Sequence, residues 1–187
     1  VGLTQAEVYS AEPALRFEQF QRVMAGAQHT GIGLTHLPVL YTYGGAEKQP
    51  LAGGQLRFGN DVERFSRLVT EARCAAQELG GDTRVGIAPH SLRAVDGKSL
   101  AALLDSVAGN GWPVHIHIAE QPAEVDECVA RLGARPVAWL MDNAAVDGLW
   151  CLVHATHMDA DELVRAAGSG AVAGLCPTTE ADLGDGF

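Results

Sequence analysis

An α/β fold built on a parallel sheet is what the sequence predicts, and three observations predict it. Five short apolar runs recur along the chain, at 31–41, 84–92, 112–120, 149–157 and 170–178. The segments between them repeat their apolar residues with a period near 3.6, which marks amphipathic helices. Ionisable and hydroxyl residues gather at one end of four successive runs. Short apolar runs alternating with helical connectors are βαβ units, whose strands lie parallel.

The first helix is expected over 12–29, with Leu15, Phe20 and Val23 on one face. GIGLTHLPVLY (31–41) is the first strand. YGGAEKQPLAGGQLRFG (43–59) is a long Gly/Pro-rich loop, readable either as a lid over a site or as a surface excursion. A helix over 61–80 carries Val62, Phe65, Leu68, Val69, Cys74 and Leu79. RVGIAPHSL (84–92) is the second strand. A helix over 98–108 follows, with Leu100, Leu103, Leu104 and Val107. WPVHIHIAE (112–120) is the third strand. The helix of 121–132 presents Val125, Cys128, Val129 and Leu132, and a short helix over 136–142 comes next. LWCLVHATH (149–157) is the fourth strand, a helix over 159–168 follows it, and GAVAGLCPT (170–178) is the fifth. Asp159 with Glu162 three residues on resembles a capping box. Gly109, Gly111, Gly133 and Gly168 stand where helices are expected to stop.

Composition bounds the function. The chain has 187 residues, 47% hydrophobic and 19% charged, which is a folded domain's balance. A net charge of −10 argues against nucleic acid as the main partner, because phosphate binding needs a basic surface. Cys74, Cys128, Cys151 and Cys176 form no C-x-x-C pair and suggest no disulfide framework. Cys128 and Cys151 read as core packing. A reducing cytoplasm fits this usage. The chain has no apolar stretch of membrane-spanning length and no visible secretory signal, so no membrane partner is expected. It starts without methionine and stops after GDGF, so it is expected to be a piece of a longer protein.

Polar residues inside buried strands need a reason. His90 and Arg93 follow RVGIAP. His117 and Glu120 end PVHIHIAE, and His154 and His157 end WCLVHATH. Thr178, Thr179 and Glu180 follow AVAGLCP. Catalytic groups of parallel α/β folds project from the carboxyl ends of the strands. Strand parity sorts HIHIAEQ: His115 and His117 share one face, and Ile116 and Ile118 share the other. His117 is one layer nearer the strand's carboxyl end than His115, and Glu120 lies in the turn beyond. A lone buried histidine is more often a hydrogen-bonded core residue, and His29 and His36 are read that way. His157 is read as a cap for the helix that follows, and Arg93 taken alone as a surface arginine. His90, His117, Glu120 and His154, gathered at one end of the sheet, are read together as a site.

HSLRAV (90–95), PVHIHIAEQ (113–121), WCLVHATHMD (150–159) and AVAGLCPTTEADLGDG (171–186) resemble the formimidoylglutamate deiminases, a family of the amidohydrolase superfamily of metal-dependent hydrolases. The likeness runs from about residue 30 to the end, while residues 1–11 match nothing clearly. It implies a (β/α)8 TIM barrel of the metal-dependent hydrolase type, of which this chain holds about strands 3 to 7. It implies one divalent metal, most often zinc, held by a first-strand His-x-His, a fifth-strand histidine and an eighth-strand aspartate. His117 matches the fifth-strand ligand and Glu120 the proton shuttle beside it. His154 matches the sixth-strand histidine next to the attacking water. His90 and Arg93 match the element that reaches the glutamate part of the substrate. The implied reaction turns N-formimino-L-glutamate, a small acidic substrate, into N-formyl-L-glutamate and ammonia, a step in histidine breakdown. The first-strand pair and the eighth-strand aspartate have no counterpart in this chain, and Asp182 and Asp185 are not equivalents of the latter. The piece alone is therefore expected to be inactive. A homodimer is allowed. The alternatives are another deaminase of the superfamily, acting on guanine, cytosine or a related heterocycle, and a partial barrel without activity. The cationic HSLR element speaks against the heterocycles.

Overall fold

The computed structural model describes residues 13–79 and 82–186. Among the described residues seven short strands run parallel: β1 (Leu34–His36), β2 (Val39–Leu40), β3 (Thr83–Val85), β4 (Ala88–Pro89), β5 (Val114–Ile118), β6 (Trp150–His154) and β7 (Val172–Gly174). β1 pairs with β3, β2 with β4, β5 with β6, and β6 with β7. A parallel bridge from Ile87 to Val114 joins β4 to β5. His115 N–H donates to Ile87 O at 3.0 Å and His117 N–H to His90 O at 3.0 Å. The five expected strands are thus five neighbouring positions of one parallel sheet, in chain order.

The first two expected strands are each broken in the middle. Pro38 has no N–H to give a ladder. At Gly86 a Cβ would lie 2.3 Å from Pro113 O and 2.8 Å from Leu37 Cδ2. Only glycine permits that approach of the neighbouring strand. The ladder resumes at once, with Gly86 N–H donating to His36 O and Ala88 N–H to Pro38 O.

Parallel strands need long crossovers, and helices supply them. They are α1 (Pro13–Thr30), α2 (Val62–Leu79), α3 (Gly97–Val107), α4 (Pro122–Leu132), α5 (Pro136–Asn143), α6 (Ala160–Ser169) and α7 (Pro177–Leu183). The main core lies between the sheet and its helices. Ile116 and Ile118 are 1% and 0% exposed, and join Leu152, Leu100, Leu103, Val125, Cys128, Val137 and Leu140. Burying one such aliphatic side chain is worth about 1.5–3 kcal/mol. The opposite face carries the half-buried His115 and His117, in register with Cys151 and Val153. Parity therefore divides β5 as expected. A second cluster joins α1 and α2 through Met24, Ala27 and Ala72, with Leu34 and Val85 beneath. Of the expected α1 face, Val23 packs there, while the side chains of Leu15 and Phe20, like that of Leu79 in α2, lie outside the described residues.

Several expectations are corrected. Cys74 and Val129 are exposed rather than packed, and Cys151 is half-buried on the sheet's histidine-bearing face. The fifth strand stops at Gly174, and α7 starts at Pro177. Proline suits a first helical position, and Gly184 at φ 71° closes the helix. Thr178, Thr179 and Glu180 therefore sit on a helix; the two threonines are exposed and Glu180 is buried. Gly168 lies inside α6, and the left-handed stop is Gly170. His29 is exposed, so it is no core residue. His36 is buried, and burial pushes its imidazole down to about 4. His157 caps nothing: its Nε2 donates to Asp185 O at 2.7 Å, and Asp159 caps α6 as the capping-box motif predicts.

The 43–59 segment is tied down rather than free. It holds a bridge from Gly45 to Gln49 and a 3-10 turn, Gly53–Arg57. Tyr43 donates to Asp96 Oδ2 at 3.1 Å, and Lys48 pairs with the same oxygen at 2.5 Å. The Arg131 guanidinium donates to Ala46 O and Leu92 O.

Glu162 does more than complete a capping box. It is 1% exposed, and Oε1 accepts from Val137 N–H at 2.9 Å and Ala138 N–H at 3.1 Å. Its Oε2 accepts from Arg135 Nε at 2.8 Å and from Asp159 N–H at 3.1 Å. One carboxylate thus locks α5 to α6. Glu162→Ala should cost about 1–3 kcal/mol, since it leaves the buried Val137 N–H without its acceptor while Arg135 keeps Asp159. Urea unfolding reads this directly, and a loss under about 1 kcal/mol would remove Glu162 from the account of this packing.

Candidate active site

Four side chains meet where successive strands end. Tyr41 follows β2, His90 follows β4, His117 lies near the end of β5, and His154 is the last residue of β6. Their rings form a continuous row. Tyr41 meets His90 edge-on at 4.6 Å between centroids. His90 lies 4.9 Å from His117, and His117 lies 5.6 Å from His154.

Backbone strain aims two of the groups. Ala119, His154 and Ala155 have φ of 52°, 68° and 53°, the left-handed region that costs an L-residue about 1–2 kcal/mol. In a regular strand His154 would share the helix-facing side with Leu152. The left-handed turn instead carries its ring to the His117 side. The same kind of turn after β5 presents Glu120. Neighbouring groups hold both turns. Ala155 N–H donates to Ile118 O at 3.0 Å, and His157 N–H to Ala119 O at 2.9 Å. Glu124 accepts from Ala119 N–H at 3.0 Å and from Glu120 N–H at 2.9 Å.

The hydrogen bonds assign tautomers. His117 Nδ1 lies 3.0 Å from His90 O. A carbonyl only accepts, so Nδ1 carries the proton and the lone pair stays on Nε2. Burial lowers the His117 imidazole, opposed by the His90 carbonyl and helped by His154. Burial, then His117 and Arg93, push His90 down to about 3. Both rings are therefore neutral at ordinary pH. Burial and His117 also lower His115, one layer deeper. His154 stands between two carboxylates, with Nε2 3.3 Å from Glu120 Oε1 and Nδ1 3.1 Å from Glu180 Oε1.

The structure brings together His90, His117, Glu120 and His154. Arg93 stays apart: it is exposed, in the turn three residues past His90, and makes no hydrogen bond or ion pair among the described residues. Its charge is still felt at His90 and His117. Reading the sequence missed Tyr41, Glu124 and the role of Glu180. Glu124 had a signal, since a glutamate in a helix's first turn commonly reaches back to amides before the helix.

A histidine binds a metal through the lone pair of a neutral ring, and His117 Nε2 fits that requirement. Among the described residues a different group also has metal-ligand geometry. His154, Cys176 and Glu180 offer atoms within 4.8 Å of one another. Burial, followed by Glu180 and Glu120, pushes the Cys176 thiol up, which disfavours the thiolate a metal would need.

Formimidoylglutamate deiminase of Pseudomonas aeruginosa is 49% identical over 177 residues, 95% of this chain and 38% of that protein. The crystal structure of an amidohydrolase from Brucella melitensis superposes with a TM-score of 0.90 at 44% identity, over 96% of this chain and 40% of that one. An adenosine deaminase from Xanthomonas campestris with bound zinc shares the fold, with a TM-score of 0.74 at 18% identity, over 97% of this chain and 44% of that one. The chain thus spans about two-fifths of the length of these proteins. Residues 23–187 match the amidohydrolase family profile, and the chain belongs to the amidohydrolase family.

Proposed function

We propose that this chain is part of one catalytic (β/α)8 barrel domain, contributing about strands 3 to 7, and that the whole protein hydrolyses N-formimino-L-glutamate to N-formyl-L-glutamate and ammonia. The observation that carries the reading is the placement of Glu120 against His154 beside the His117 ring. The 49% identity to the Pseudomonas enzyme along nearly the whole chain supports the choice of substrate.

The reaction adds water across the formimino C=N bond and expels ammonia. His117 would hold a single divalent metal, most naturally zinc, with further ligands from outside this chain. When bound, such a metal supplies a Lewis acid that brings water's pKa to about 7. Glu120 takes the water proton and hands it to the leaving nitrogen, base first and acid second. His154 accepts a hydrogen bond from the attacking water through the ring nitrogen that faces Glu120, and so orients that water. His90, kept neutral by burial, adds a hydrogen bond to the substrate. Arg93, which forms no ion pair among the described residues, pairs with a carboxylate of the glutamate moiety through its planar fork.

Ammonia release by the metal-loaded full-length protein tests this, across N-formimino-L-glutamate, guanine, cytosine and adenosine. Turnover of the formimino compound alone is expected, and preference for a heterocycle would replace the reading by a nucleobase or nucleoside deaminase. Arg93→Met should reduce kcat/KM for the acidic substrate by about 10- to 100-fold, the worth of a charge-assisted contact of roughly 1.5–3 kcal/mol. Equal losses on a formamidine lacking carboxylates would remove Arg93 from substrate binding.

A further inference from the structure

We infer that Glu180 is the positioning residue of His154: its buried carboxylate holds the Nδ1 proton and thereby fixes which ring nitrogen faces Glu120 and the reacting centre. The inference deepens the proposed function and rests on it for the role of His154.

Glu180 lies in the first turn of α7 and is 4% exposed. A carboxylate buried to that degree costs several kcal/mol unless charge or hydrogen bonds offset it. No lysine or arginine pairs with it among the described residues. Its Oε1 accepts instead from Cys176 N–H at 2.9 Å and meets His154 Nδ1 at 3.1 Å. The main-chain bond keeps Oε1 an acceptor at that point, so the proton between Glu180 and His154 sits on Nδ1. His154 Nε2 is then the nitrogen directed at Glu120, 3.3 Å away.

Geometry explains why the ring needs such an anchor. His154 has a left-handed backbone, and the sheet around it would favour the opposite orientation. The ring is only 4% exposed, so its far nitrogen needs a partner inside the protein. Glu180 comes from the next strand–helix unit and holds it from the side opposite Glu120. By analogy with the second partners of metal-ligating histidines, such an anchor should be worth about 10- to 100-fold in activity.

Glutamine separates orientation from bulk. The Glu180→Gln carbonyl can still accept from Cys176 N–H and from Nδ1–H, whereas Glu180→Ala removes the anchor. In the metal-loaded full-length protein, Glu180→Ala should lower kcat by about 10- to 100-fold, with KM and metal content unchanged. Glu180→Gln should recover most of that loss. A nitrogen–proton correlation spectrum of histidine-labelled protein, assigned by loss of signal in His154→Asn, should place the proton on Nδ1 in wild type and Glu180→Gln. That tautomer should lose its dominance in Glu180→Ala. A wild-type His154 without a proton on Nδ1 overturns the inference, as does an unchanged kcat in Glu180→Ala. The spectrum requires no turnover: a protonated Nδ1 in a protein that leaves N-formimino-L-glutamate untouched would sink the proposed substrate and support the anchoring of the ring.

Discussion

Replacing Glu120 with glutamine in the full-length protein is expected to leave the metal bound and to lower kcat by about 10²- to 10⁴-fold, the usual worth of a positioned acid–base group. Glutamine keeps the size and the approach to His154 but cannot take a proton. The turn that presents residue 120 is built from other groups, namely the left-handed Ala119 and the Glu124 carboxylate on two amides. The substitution should therefore leave the fold and the neighbouring rings in place. Steady-state ammonia release with metal analysis on the same sample checks both halves. Near-normal turnover would take the proton-shuttle role from Glu120.

His117→Ala should have the larger effect on the metal. Changes to second partners of metal ligands cost about 10- to 100-fold in affinity, and loss of a ligand should exceed that. His115→Ala is the natural control. It shares the face of β5 with His117 but lies one layer deeper, in register with Cys151 rather than Val153. The purified His115→Ala protein should retain metal and His117→Ala should not. The reverse result would exchange the roles of the two histidines in HIHIAEQ.

The order of strands and helices was legible in the sequence because each apolar run and each amphipathic connector reports its own burial. Ile116 and Ile118 against His115 and His117 is the clearest case, since period-two parity alone divides the strand. What escaped notice depends on the path of the backbone. No local pattern says that His154 leaves its strand's parity, because an L-residue at positive φ is dictated by surroundings that are distant in sequence. Glu180 looked like a strand-end residue because GAVAGLCPT reads as one apolar run. Pro177 inside that run was the signal that a helix begins there. The break in the second strand was equally hidden, because Gly86 is needed by Pro113 and Leu37, which lie far away in the sequence. His90, His117, Glu120 and His154 could be grouped by their position at strand ends, but their distances and tautomers could not.

The central claim is that His117, through Nε2, is this chain's contribution to a metal centre. Anomalous diffraction at the zinc edge, on crystals of the zinc-loaded full-length protein, tests it most directly. The expected result is one strong peak about 2.0–2.1 Å from His117 Nε2. A peak enclosed by His154, Cys176 and Glu180, with none at His117, would contradict the claim.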